Sequence, residues 1–218
     1  MKIKSTIIVL FALFTLSTQT TVVAQTEEPA KTHPWSVGFD VGGSLYQGDF
    51  YKDNFFWISS ENEVRPSFDI NVTRSFGYLF EAQAQFVVGN LCGVYVDGHK
   101  YFESKYTEFN IQGMLNVSNL FGNKRNDRLI TLLFPVGIGM INYNSTLYEY
   151  DRKTEVDNGS GMLPALLLGG RAHIYVSPRW YIQMSSISRI TFSDKLDTFE
   201  RNKNDVYNYS SIGFGYRF

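Results

Sequence analysis

The sequence predicts an all-β protein: a single up-and-down antiparallel transmembrane β-barrel of about eight strands. Three observations predict it. Segment after segment alternates apolar and polar residues with a period of two. The connections between those segments alternate between tight and long. Beyond the N-terminus, no apolar stretch approaches the roughly 20 residues that a membrane-spanning helix requires, although 44% of the chain is apolar and 16% aromatic.

The elements follow in chain order. Lys2 and Lys4 precede an apolar run over residues 7–16, and small polar residues then lead to Val22, Val23, Ala24 and Gln25. This is the layout of an export signal spanning residues 1–25, cleaved after Ala24 or Gln25. Residues 26–33 form a polar, flexible lead-in, and one domain fills residues 34–218. Loss of Lys2 and Lys4 leaves 18 basic against 21 acidic side chains. That balance offers no basic surface to a nucleic acid. The single cysteine, Cys92, excludes an intrachain disulfide framework and a cysteine-based zinc site, and reads as a packed small hydrophobe.

The first strand sets Trp35, Val37, Phe39 and Val41 against Ser36, Gly38, Asp40 and Gly42, and the second sets Phe68, Ile70 and Val72 against Asp69, Asn71 and Thr73. From Tyr78 the apolar parity runs through Phe80, Ala82, Ala84, Phe86 and Val88, with Glu81, Gln83 and Gln85 between them. Phe109, Ile111, Leu115 and Val117 oppose Glu108, Asn110, Gln112 and Asn116. Residues 129–142 and 163–176 are more evenly apolar, but hold Gly137, Gly139, Gly169, Arg171 and His173 on one parity. Trp180, Ile182 and Met184 oppose Tyr181, Gln183 and Ser185, with Arg189 further along on the polar side. The last strand sets Ile212, Phe214, Tyr216 and Phe218 against Ser211, Gly213, Gly215 and Arg217.

A soluble sandwich also alternates, so the connections decide which face is the core. Residues 47–64 form a long loop, 75–77 a tight turn and 93–103 a longer segment. Residues 121–128 follow, then a long acidic loop at 145–161, a tight turn at 177–179 and a long loop at 193–204. Short and long connections at opposite ends are the pattern of an outer-membrane barrel, whose apolar face meets lipid. Two features run against it: residues 121–128 are long for a periplasmic turn, and Pro135 falls mid-strand. Trp35, Phe39, Tyr78, Phe80, Trp180, Phe192, Tyr216 and Phe218 suit the aromatic girdles at the two interfaces.

Phe214, Tyr216 and Phe218 close the chain with alternating aromatics, which resembles the C-terminal insertion signal of outer-membrane barrels. Together with the export signal and the strand layout, the chain resembles the OmpA/OmpX-like small barrel superfamily. The resemblance implies location in the outer membrane of a Gram-negative bacterium, with outer-membrane lipid and the barrel insertion machinery as partners. More narrowly, residues 42–50 (GGSLYQGDF) and 192–197 (FSDKLD) resemble segments of PorG-like barrels of type IX secretion. That resemblance implies envelope or secretion proteins as further partners.

Parity assigns Asp40, Asp69, Glu81, Glu108, Arg171, His173, Arg189 and Arg217 to the lumen. An eight-stranded barrel is filled by its own side chains, and buried charges persist only when paired or hydrogen-bonded. This predicts a packed charge network rather than a pore. His173 has no serine at i+2 on its face, where Tyr175 stands, so a lipid A-modifying barrel enzyme is a weak alternative, and a narrow gated channel is another. Asp151, Glu155 and Asp157, with Asp194, Asp197 and Glu200, match no compact calcium loop, so neither a metal nor a cofactor is expected. Phe50, Tyr51, Phe55, Phe56 and Trp57 cluster in the first long loop as a candidate extracellular contact. The expected function is a non-enzymatic structural or interaction barrel of the cell envelope.

Overall fold

A computed structural model describes residues 34–47, 63–95, 100–121, 128–149, 154–193, 196 and 205–218. The export signal, the lead-in and the five loop aromatics Phe50, Tyr51, Phe55, Phe56 and Trp57 lie outside the described residues. Eight strands follow one another: β1 (Trp35–Tyr46), β2 (Arg65–Phe76), β3 (Phe80–Tyr95), β4 (Lys100–Asn116), β5 (Ile130–Glu149), β6 (Glu155–Tyr175), β7 (Trp180–Thr191) and β8 (Val206–Arg217). Each pairs antiparallel with the next, and β1 closes on β8 through a register that includes Phe39↔Phe214 and Val41↔Ile212. Full closure removes the exposed edges that an open sheet leaves.

Burial along the strands is inside out relative to a soluble protein. Phe39, Ile70, Phe86, Phe109, Ile138, Met184 and Phe214 point outward and are exposed, whereas Asp69, Asn71, Gln83, Glu108, Gln112 and Arg189 are buried. Period-two alternation fixes this: once closure turns one parity inward, the other must face out. An outer surface of this kind suits hydrocarbon rather than water. The apolar face has an upper limit on β4 and β5. Phe109 and Ile111 give way along β4 to outward Thr107, Lys105 and Glu103, while Ile138 and Met140 give way along β5 to Asn142 and Asn144.

Several boundaries differ from those the sequence predicts. Residues 93–103 and 145–161 are mostly strand: β3 and β4 pair out to Tyr95↔Lys100, and β5 and β6 out to Tyr148↔Glu155. Above the apolar band neither face needs to be greasy, so alternation fades while the ladder continues. Tyr78 belongs to the turn before β3, which Gly77 makes possible at φ +66°. Val117 opens a single helical turn, α1 (Val117–Leu120), rather than extending β4. Asn116 caps α1 by accepting from the Asn119 amide at 3.1 Å. Ser118 pins α1 to the next strand by accepting from the Leu132 amide at 2.8 Å. The connection after β4 is therefore partly a built helical turn. Pro135 is accommodated because β5–β6 pairing passes from Leu133↔Arg171 to Val136↔Leu168 and skips the two residues between, which face Gly169 and Gly170.

Candidate functional site: the barrel interior and its outer end

The interior is layered along the barrel axis. Near the Ser36 end of β1, Arg217 lies over the Tyr175 ring, 4.2 Å from its centroid, and donates to the Tyr175 hydroxyl. Tyr181 donates to Ser36 at 3.0 Å. Glu81 is buried here and accepts from Ser75 at 3.5 Å. His173 packs against Tyr181 with ring centroids 4.5 Å apart, and neither of its nitrogens has a hydrogen-bond partner among the described residues. A general base needs a hydroxyl or thiol within hydrogen-bond reach, and neither His173 nitrogen makes such a bond among the described residues.

The next layer holds Arg171, which donates through Nη1 to Gln83 at 2.5 Å and makes no ion pair among the described residues. Asp40 and Asp69 are direct cross-strand neighbours in the β1–β2 ladder. Amides and a phenol serve them instead of a cation: Gln183 donates to Asp40 at 2.6 Å, Asn71 to Asp69 at 3.0 Å and Tyr209 to Asp69 at 3.0 Å. Gly213 makes room for this, since a Cβ there would strike the Phe39 carbonyl oxygen and the Asp40 carboxylate. Gln85, Asn110 and Gln112 continue the amide network, with Gln112 donating to Gln85 at 2.8 Å.

The one ion pair of the lumen among the described residues joins Arg189 and Glu108. Both side chains are 0% exposed, and Nε meets Oε2 at 3.1 Å. Tyr207 donates to the same carboxylate at 2.6 Å, Asn110 donates to its other oxygen, and Arg189 Nη1 donates to the Ile187 carbonyl at 2.7 Å. Of the eight charged lumen positions, the fold thus joins Arg189 to Glu108, sets Asp40 beside Asp69, gives Glu81, Arg171 and Arg217 uncharged hydrogen-bond partners, and places Arg171 and Arg217 near enough to Glu81 and His173 to act on them electrostatically. Parity reveals which face a residue occupies, but not its depth.

Beyond that pair the interior changes character. Tyr46, Leu91, Phe102, Tyr143, Leu147, Leu163 and Leu196 are buried together as an apolar cluster across the outer end, with the rings of Tyr46 and Phe102 edge-on at 4.8 Å. Tyr46 also donates to Asp205, and Asp205 accepts from the Leu196 amide at 2.9 Å. These residues were not legible as a site, although Tyr106 and Tyr207 share the inward parity of Glu108 and Arg189. Outside the cluster, Arg65 donates to Tyr101 at 2.6 Å and to Cys92 Sγ at 3.2 Å, and pairs with Glu63 and Glu103. Burial, then the bond to Glu103, pushes the Tyr101 hydroxyl pKa up. Phe214, Tyr216 and Phe218 all lie on the outward parity of β8 or just past it, and the Trp180 ring packs against Tyr216 at a tilt of 53°, with centroids 4.8 Å apart.

No family model matches the chain. No curated protein matches it either. Among solved structures, it is similar to Neisserial surface protein A (NspA), at 9% identity over 84% of this chain and 97% of that chain, with a TM-score of 0.53. It is also similar to Ail, the attachment invasion locus protein of Yersinia pestis, at 14% identity over 85% and 97% of the two chains, with a TM-score of 0.48. The outer membrane protein OprG from Pseudomonas aeruginosa gives 9% identity over 85% and 96%, with a TM-score of 0.46. The likeness to NspA is one of fold: this chain is a small, closed, eight-stranded antiparallel barrel.

Proposed function

We propose that this chain is a non-enzymatic interaction component of the outer membrane of a Gram-negative bacterium, closed to ions and displaying a raised sheet to partners outside the cell. The observation that carries the proposal is the inequality of its strands. β1, β2, β7 and β8 have 12 residues each, whereas β3, β4, β5 and β6 have 16, 17, 20 and 21. At roughly 3.3 Å per residue, β6 outruns its neighbour β7 by about 30 Å along the strand. The added length lies at the end where the outward residues turn polar, so four strands stand clear of the apolar band.

This sheet has the makings of a binding surface. β6 pairs with β7 as far as Ala165↔Thr191, with one further bond from the Phe192 amide to the Pro164 carbonyl at 3.3 Å; its outer part, which includes Asp157, Asn158 and Ser160, has no strand partner on that side among the described residues and so offers backbone donors and acceptors along an edge. Strand addition at such an edge is a recurring mode of recognition. The first-loop aromatics Phe50, Tyr51, Phe55, Phe56 and Trp57 would add apolar contacts, and the PorG-like resemblance favours envelope or secretion proteins as partners. Conduction fits poorly with the Tyr46–Phe102 cluster filling the outer end. Lipid modification fits poorly with His173 walled by tyrosines.

A photo-crosslinking residue at Asn158, in the full chain assembled in outer membranes, tests the proposal. Adducts with envelope proteins from position 158 but not from lipid-facing Ile111 are expected. Absence of adducts at 158 together with steady single-channel conductance in planar bilayers would overturn it.

A further inference from the structure

The outward face of β7 and β8 carries a polar island where apolar side chains are expected. Ser186 and Ser188 on β7 face Ser210 and Asn208 on β8 through the pairs Ser186↔Ser210 and Ser188↔Asn208. The four side chains are linked: Ser210 donates to Asn208 Oδ1 at 2.8 Å, Ser186 Oγ lies 2.9 Å from Ser210 Oγ, and Asn208 Nδ2 donates to Ser188 Oγ at 3.2 Å. Apolar residues surround the island. Met184 and Ile212 lie toward one end, Ile190, Phe192 and Val206 toward the other, with Leu168 of β6 and Val41 of β1 to the sides. The island therefore sits inside the band, not at its margin.

Polar side chains at that depth are costly unless partnered, because hydrocarbon supplies neither donors nor acceptors. The internal bonds leave hydrogens over. The Ser188 hydroxyl hydrogen and the second Asn208 amide hydrogen have no acceptor among the described residues. The surface is also low on the β6 side: Gly170 pairs with Ser186, and a Cβ added at Gly170 would meet nothing within 4 Å. Small residues on a lipid-facing surface let a second backbone approach closely.

We infer that Ser186, Ser188, Asn208 and Ser210 form a lateral self-association surface on which a second copy of this chain docks within the membrane. A second copy fits for a geometric reason. Outer-membrane barrels insert with one orientation, so every copy carries the island at the same depth, and a twofold axis along the membrane normal brings the two islands face to face. Serine and asparagine each donate and accept, so the patch is complementary to itself, and each copy's leftover hydrogens meet the other's free lone pairs. A partner of different sequence would need a polar patch at a matching depth.

The inference rests on the membrane placement proposed above, and the experiment separates the two. Full-length Ser186→Cys and, as a control on the opposite wall, Ile111→Cys are assembled in outer membranes and treated with a thiol oxidant; native Cys92 is buried. The expected result is a covalent dimer of twice the chain mass from Ser186→Cys, several-fold above the Ile111→Cys yield. Adding Asn208→Leu, which suits lipid and spares the lumen, should lower that yield several-fold. Heat-modifiable, membrane-bound Ser186→Cys that stays monomeric, or that joins a different protein, overturns self-association while the membrane placement stands. Protein recovered without membrane and without heat modifiability overturns both.

Discussion

Replacing Arg189 by Met should strongly destabilise the barrel. In the folded chain Glu108 is wholly buried and has three partners: the Arg189 guanidinium at 3.1 Å, the Tyr207 hydroxyl at 2.6 Å and the Asn110 amide. Arg189→Met removes the only positive charge among them and leaves a buried carboxylate held by two neutral donors. Breaking one side of such a pair typically costs about 3–5 kcal/mol. Glu108→Leu should cost a comparable amount by stranding the guanidinium, which would retain the Ile187 carbonyl and its place over the Tyr207 and Tyr209 rings. The double variant loses both charges, and apolar replacement of a whole buried pair is often neutral. It should therefore lie well above the sum of the singles. The assay is urea unfolding of the barrel in lipid vesicles, followed by heat-modifiable gel migration and tryptophan fluorescence. Singles that each cost less than about 1 kcal/mol, the order of an exposed pair, with an additive double, would refute the reasoning.

Three other outcomes follow from the same geometry. Asp40→Asn should raise stability by up to about 1 kcal/mol, because like charges directly across a ladder are destabilising; the urea midpoint measures it, and a lowered midpoint would count against the placement of Asp40 beside Asp69. Ile138→Arg, on the lipid face, should cost about 2–4 kcal/mol, whereas Asn144→Arg on the same strand and parity should cost about 0–1 kcal/mol; equal costs would move the edge of the band. Phe102→Ala should destabilise by about 3–5 kcal/mol, as for a packed aromatic, because its ring is fully buried against Tyr46; a change under about 1 kcal/mol would show that the outer cluster is loosely held.

The barrel was legible because alternation is a property of each strand by itself. Phe80 to Val88 on even positions, with Glu81, Gln83 and Gln85 between them, gives parity without reference to any other residue. The true extent of β3 to β6 was not legible, since beyond the apolar band Asp157, Asn158, Gly159 and Ser160 have no apolar side to mark. α1 escaped for a similar reason: four residues are too few for a helical period, and Asn116 read as the polar side of a strand. The lumen was legible as a set of residues but not as a set of pairs. Register decides that Asp40 meets Asp69 and that Arg189 reaches Glu108, and register depends on strands distant in sequence. The tyrosines at the outer end were hidden because aromatics on an inward parity look the same whether they cap a lumen or line it. Phe50, Tyr51, Phe55, Phe56 and Trp57 remain a reading of the sequence alone.

The central claim is that the apolar parity faces lipid and that β5 rises out of the bilayer partway along its length. A spin label placed in turn at Phe134, Val136, Ile138, Met140, Asn142, Asn144 and Thr146, in the barrel reconstituted in vesicles, reads this directly through collisions with lipid-soluble oxygen and a water-soluble nickel complex. The account predicts that oxygen dominates from Phe134 to Met140 and that the nickel complex takes over from Asn142 onward. Uniform access to the nickel complex along all seven positions, or none at any of them, would contradict it.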